Sequence, residues 1–313
     1  MHHDDLLHAI GRTPLVELRR LSPRPGIRLF AKLEGMNPTG SVKDRIVREM
    51  VLGAEREGRI RPGDCLVEAS TGNTGIALAM VGRARGYRVH VVMPENVYHE
   101  IPEMVAAYGA TVHTVPASEG VRGAMDAARR MAERKGWAML DQFSSPYNTL
   151  AHYETTGREI LEDLPHVDVL VAGLGTGGTL MGAGRRLKEA NPRCKVIAVE
   201  PHPGYQVQGL KSLADGFIPP ILDFSLLDGR ILVRSWHAFH AAKVIMQREG
   251  IFAGVSSGAA LHAALKYLRR VESGNVVLIF ADSGWKYLDT NLWMADWHAI
   301  EGESEDLDEV LWW

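Results

Sequence analysis

Short runs rich in Val, Ile and Leu recur along this chain and alternate with stretches of helical pattern. They are CLVEAS (65–70), RVHVVM (88–93), TVHTVP (111–116), VDVLVAGLG (167–175), KVIAVEP (195–201) and NVVLIFAD (275–282). Most read as continuously apolar rather than alternating apolar with polar. A strand of that kind buries both faces, which requires a parallel sheet covered by crossover helices on either side. The expected fold class is therefore α/β, a doubly wound parallel-sheet architecture. The rhythm breaks near LDQFSSPYN (140–148) and resumes after ETTGREILEDLP (154–165), so the 313 residues are expected to form two α/β lobes. The smaller lobe is expected over 36–143, the larger over 1–35 and 144–300, with an acidic and then aromatic tail at 301–313. The segment GIRLFAKLEGMN (26–37) fits either lobe.

Composition closes off several functions. The net charge of −3 leaves no electrostatic footprint for nucleic acid or an anionic membrane. No apolar run is long enough to span a bilayer. The two cysteines, Cys65 and Cys194, stand in no metal or redox spacing, so no metal site is expected. Few cysteines and no secretory signal point to the cytoplasm.

In doubly wound sheets ligands sit at the carboxyl ends of the strands, which directs attention to three loops. GLGTGGTLMG (173–182) follows an apolar run and opens a helix, where N–H groups and the helix dipole favour an anion such as phosphate. Gly173, Gly175 and Gly178 also satisfy G-x-G-x-x-G, and the next strand ends at Glu200, so this loop alone reads equally as a dinucleotide site. EASTGNTGIALA (68–79) offers Ser70, Thr71, Asn73 and Thr74, more small polar groups than a helix cap needs and suited to a carboxylate. GVSSGAALHAAL (254–265) places Ser256 and Ser257 before a helix, as cap or as ligand contact.

A fourth stretch, NPTGSVKDR (37–45), puts Lys43 directly behind small turn residues. A nicotinamide enzyme has no obvious use for that lysine. A phosphate-bearing aldehyde cofactor does, because an amine condenses with its carbonyl carbon. The bland readings of Lys43 are a surface ion pair with Asp44 and a helix-start charge.

Taken in order, NPTGSVKDR, STGNTG, GLGTGGT and GVSSGAA resemble the motifs of the fold-type II pyridoxal 5'-phosphate enzymes, whose lobes are tryptophan synthase β-like. IGRTPLVEL (10–18), DQFSSPYN (141–148) and ADSGWKYL (281–288) make the chain similar to the cysteine synthase and cystathionine β-synthase branch. The resemblance implies the following roles. Lys43 is the Schiff-base lysine, Asn73 meets the ring hydroxyl, and Gly175, Thr176, Gly177, Gly178 and Thr179 cradle the phosphate. Ser256 faces the pyridine nitrogen, and Ser70, Thr71, Thr74 and Gln142 contact the substrate carboxylate. It further implies a homodimer with a mobile smaller lobe. The implied activity is β-replacement on an O-activated L-serine, through aminoacrylate, to give L-cysteine. The donor is O-acetylserine or O-phosphoserine, and the sulfur comes from sulfide or a thiocarboxylated sulfur-carrier protein.

Within YQVQGLKSLADGFIPPILD (205–223), Lys211 stands where a phosphoserine-using sulfhydrylase of the family has an arginine. It is a candidate phosphate contact or an exposed loop lysine. The tail, ending Trp312–Trp313, is a candidate cover for the site, a frayed end or a dimer contact. A cystathionine β-synthase is the nearest alternative activity. A dehydratase-like lyase, a ligand-binding protein without catalysis and a dinucleotide enzyme lie further off.

Overall fold

The computed structural model describes residues 3, 5–290, 293–294 and 310–311. In chain order the early strands are β1 (Leu15–Glu17), β2 (Ile27–Leu33), β3 (Cys65–Ala69), β4 (Arg88–Pro94), β5 (Thr111–Val115) and β6 (Ala138–Met139). The later ones are β7 (Val169–Gly173), β8 (Lys195–Pro201), β9 (Gly229–Val233), β10 (Gly274–Phe280) and β11 (Val310–Leu311). The helices of the first half are α1 (Lys43–Arg56), α2 (Asn73–Arg85), α3 (Glu100–Ala107), α4 (Gly120–Lys135) and α5 (Pro146–Ala151). Those of the second half are α6 (Arg158–Asp163), α7 (Gly178–Ala190), α8 (Ser235–Glu249) and α9 (Val255–Leu268). A π-helical turn, His152–Gly157, precedes α6.

The chain divides into two compact units, Met1–Gly11 with Asn37–Ala151, and Arg12–Met36 with His152–Trp313. The first holds a four-stranded sheet ordered β5-β4-β3-β6, all parallel. Every residue of β3 is buried, as a strand covered on both faces requires, whereas the edge strand β5 is half open. The unit boundaries differ from those read in the sequence at 36 and 143. Met1–Gly11 goes with the smaller unit because Leu7 and Ile10 bury in its core. Arg48 of α1 donates to the Ile10 carbonyl at 2.9 Å, and the Gly11 N–H donates to Asn37 Oδ1 at 2.9 Å.

The second unit holds a seven-stranded sheet ordered β1-β2-β10-β7-β8-β9-β11. Its five inner strands are parallel, and β1 and β11 run antiparallel at the edges. The segment that fitted either lobe becomes β2 and pairs with β10 throughout its length. The nine-residue motif IGRTPLVEL (10–18) has a structural role here. Lys32 is fully buried, lies 2.9 Å from Glu159 Oε2, and donates to the Thr13 carbonyl at 2.6 Å. Glu159 Oε1 accepts the Arg12 N–H at 3.0 Å, and Thr13 Oγ1 donates to Glu34 Oε1 at 2.7 Å. This chain of buried contacts fixes Arg12 in a left-handed conformation, φ 49°.

Among the described residues no helix is long and apolar enough to cross a membrane. Of the tail, Val310 and Leu311 pair with Ile231 and Arg230 of β9. The terminal tryptophans, and with them the covering role considered for the tail, lie outside the described residues.

Candidate functional site

Each sheet reverses its strand order once, and the loops of interest gather at those reversals. In the smaller unit the chain runs from β3 outward to β4 and β5, then returns to place β6 on the other side of β3. A crevice opens where two neighbouring strands lead away in opposite directions, at their carboxyl ends. The loop after β3 carries Ser70, Thr71 and Asn73, and the loop after β6 carries Gln142.

One interaction joins these two loops. Thr74 Oγ1 donates to Gln142 Oε1 at 2.7 Å, and Gln142 Nε2 donates to the Ala69 carbonyl at 3.0 Å. Both side chains are buried. The Gln142 carbonyl accepts from Asn148 Nδ2 at 2.7 Å. The preceding residue, Asp141, is one of two non-glycine residues with positive φ among the described residues, at 50°. Such a conformation is held only where the surroundings over-determine it, which is common at functional sites.

Ser70 is committed to the loop itself. Its Oγ accepts the Gly75 N–H at 2.8 Å and the Gly72 N–H at 3.2 Å. Thr71 is exposed, and Asn73, half-buried, is the first residue of α2. Lys43 is likewise the first residue of a helix, α1, and is half-buried. The turn before it is locked from within. Asp44, fully buried, accepts the Thr39 N–H at 2.7 Å and the Thr39 hydroxyl. Gly40 closes the turn with φ 78° and donates to the Asn37 carbonyl at 2.8 Å. α1 packs against α2, so the helices that begin at Lys43 and Asn73 are neighbours within this unit.

In the larger unit the reversal lies between β7 and β10. The glycine-rich loop follows β7 and opens α7. Gly177 takes φ 92°, and a Cβ on Gly175 would stand 2.7 Å from the Gly209 carbonyl oxygen. α7 has no acidic residue in its first turn and no side-chain cap at Gly177. The Gly178 N–H reaches Thr176 Oγ1 at a long 3.4 Å. A helix start lined by glycine, with no side-chain cap from Gly177, otherwise turns its backbone N–H groups toward an anion, so these residues fit a phosphate.

Two supports of this loop come from outside it, and the first of them, His152, carries no local signal in the sequence. His152, buried on the π-helical turn, places Nε2 3.2 Å from Thr179 Oγ1 and Nδ1 2.9 Å from Thr156 Oγ1. The 205–223 stretch lies against the loop's other side, where the Lys211 N–H donates to the Leu174 carbonyl at 2.7 Å. Lys211 is half-buried, and burial pushes its amine below the usual lysine range, with the Asp215 charge opposing.

Glu200 does not suit a dinucleotide ribose. It is buried, lies 3.2 Å from Arg230 Nε, and accepts the Leu213 N–H at 2.9 Å. Burial raises its carboxyl, while Leu213 and Arg230 pull it back. It anchors the chain beyond Lys211.

Ser256 lies buried in the first turn of α9. The Gly254 N–H just before it donates to the Asp282 carbonyl at 2.9 Å, which brings this helix start to the loop after β10, at the same reversal as the glycines. Ser257 Oγ, fully buried, has no hydrogen-bond partner among the described residues. The residues singled out from the sequence thus fall into two groups. Lys43, Ser70, Thr71, Asn73, Thr74 and Gln142 belong to one unit, and Gly175 to Thr179, Lys211 and Ser256 to the other.

Residues 6–282 match the family model described as "Pyridoxal-phosphate dependent enzyme". The chain is 41% identical to the cysteine synthase B of Salmonella typhimurium over 288 residues, 92% of this chain and 95% of that one. Among solved structures, the cysteine synthase of Entamoeba histolytica aligns with a TM-score of 0.90 at 33% identity, covering 97% of both chains. An O-ureido-L-serine synthase aligns with a TM-score of 0.89 at 38% identity, covering 98% of both.

Proposed function

Because the chain belongs to the pyridoxal-phosphate-dependent enzymes, we propose that it is a cysteine synthase that replaces the β-substituent of an O-activated L-serine with sulfur. The observation that carries this reading is the 41% identity to a cysteine synthase across 92% of the chain. When bound, pyridoxal phosphate supplies an aldehyde for an amine and a ring that takes up electron density from the substrate Cα.

The chain's own residues supply the rest. Lys43 would provide the amine that holds the cofactor and, when free of it, a base at Nζ for the substrate Cα proton. The N–H groups of Gly175 to Thr179 hold the phosphate, with the Thr179 hydroxyl oriented by His152. Asn73 would meet the ring hydroxyl of the bound cofactor. Ser256 would meet the ring nitrogen and, being no acid, would bring it no proton, which suits loss of a β-substituent better than long-lived charge at Cα.

Thr71, Thr74 and Gln142 orient the substrate carboxylate. Ser70 contributes by shaping the loop, since its hydroxyl already serves Gly72 and Gly75. Motion of the smaller unit over the substrate, a homodimeric state and a reducing cytoplasmic setting complete the reading. The cysteines, both free and buried, support the last of these. Light scattering at twice 34.5 kDa checks the dimer.

A donor and acceptor screen tests the function. O-acetylserine and O-phosphoserine are each offered sulfide, a thiocarboxylated carrier protein and homocysteine. Cysteine formation supports the proposal, and turnover with homocysteine alone would move the chain to cystathionine synthesis.

Within that screen, Lys211 decides the leaving group. Its charge, half-buried beside the glycine loop, suits a second phosphate. Lys211→Ala is expected to lower kcat/KM on O-phosphoserine about tenfold more than on O-acetylserine, the scale of one charged hydrogen bond. Equal losses would remove the phosphate role. Because burial lowers its amine, the preference for O-phosphoserine should fade with rising pH earlier than an ordinary lysine would allow.

A further inference from the structure

Glu68 is the one charged residue of β3 and is buried within that fully buried strand, at 1% exposure. It shares a strand face with Leu66, in the apolar core between the sheet and α1 and α2. Its Oε2 has no hydrogen-bond partner among the described residues. A carboxyl in such a place is costly unless it has a use.

The surroundings indicate one. The next residue, Ala69, offers the carbonyl that takes the Gln142 amide. The N–H groups of Asp141, Gln142 and Ala69 act on the Glu68 carboxyl in favour of its charge, and the Asp141 carboxylate acts against it. β3 pairs Val67 with Met139 of β6, so Glu68 lies beside the segment that leads into the left-handed turn at Asp141 and on to Gln142, at the strand reversal of the smaller unit.

We infer that Glu68 is a positioning residue, whose buried carboxyl holds the Asp141–Gln142 turn and so sets the Gln142 amide for the substrate carboxylate. The inference rests on the reading above that Gln142 and Thr74 meet that carboxylate. Charge is central to the effect. Burial first, and the Asp141 charge second, push the Glu68 carboxyl up to about 8, so it is largely protonated at neutral pH. Ionisation at alkaline pH sets a second negative charge beside Asp141 and beneath the bound carboxylate, which loosens the turn and repels the ligand.

The test uses the holoenzyme and L-alanine, which has the amino-acid carboxylate and no leaving group, with calorimetry as the readout. Glu68→Gln keeps the shape without the charge, and Glu68→Leu removes the polar contact. Between about pH 6.5 and about pH 9.5, wild-type affinity should fall about fivefold more than that of Glu68→Gln. The comparison cancels titration of the ligand and of Lys43. Glu68→Leu should bind about tenfold more weakly at every pH. With a serine ester as substrate, the Glu68→Leu loss should appear in KM rather than kcat.

Wild-type and Glu68→Gln affinities that keep a constant ratio across the range overturn the inference, whether or not Glu68→Leu folds. So does a folded Glu68→Leu that binds like wild type. A wild type that binds no amino acid overturns the functional reading and this inference with it. Intact wild-type binding with unaffected variants overturns this inference alone.

Discussion

Lys43→Ala is expected to lower kcat for cysteine formation by at least ~10³-fold while leaving the fold intact. Two functions end with one substitution, the covalent hold on the cofactor and the base for the Cα proton. Little structural loss should accompany them. The side chain is half-buried at the first position of α1, alanine suits a helix start, and the turn before it is held by Asp44, Thr39, Gly40 and Asn37. Reduction with borohydride followed by peptide mass spectrometry gives a readout independent of turnover. The wild type should carry a pyridoxyl group on the peptide containing Lys43, and the variant should carry none there. A variant that turns over at the wild-type rate, or a wild type modified at another lysine, would remove Lys43 from the mechanism.

The largest expected effect on stability lies away from the chemistry. Lys32→Met takes from the buried Glu159 carboxylate the ammonium that lies 2.9 Å away. Removing one partner of a buried ion pair costs about 3–5 kcal/mol, because the remaining charge loses its opposite charge where water cannot replace it. The Thr13 carbonyl also loses its 2.6 Å donor. Urea denaturation of the apoprotein should show a midpoint shifted by that amount. The double change Lys32→Met with Glu159→Leu should be less damaging than the two single changes added together, since the two charges are then removed as a pair. Strict additivity would mean that the pair is solvated and structurally idle.

The fold was legible where burial was symmetric. β3, β4, β7, β8 and β10 are covered on both faces, and their apolar runs announce them. β9 escaped notice because its five residues include Arg230, whose charge is used by Glu200 rather than by water. β6 has two residues and no pattern to read. The site was legible through its motifs, yet the reasons for individual residues were not. Thr74 and Gln142 are 68 positions apart, and they meet because β6 returns to the inner side of β3, a choice that no local pattern encodes. Gly258 reads as part of a ligand loop, but a Cβ there would strike the Ala238 carbonyl, so it serves the close approach of α9 to α8. His152 and Glu68 act through Thr179 and through the turn before Gln142, and a side chain that works through another leaves no signature of its own spacing.

The short pairing of Val310 and Leu311 with β9 bears on how the protein behaves when crowded. Without it, β9 would end the larger sheet with a row of unsatisfied amides and carbonyls, the kind of border on which a second chain can add a strand and begin to aggregate. A chain shortened before residue 310 should keep its cofactor chemistry and lose part of its colloidal solubility. The last residues would then act as a guard rail for the sheet, whatever else they do.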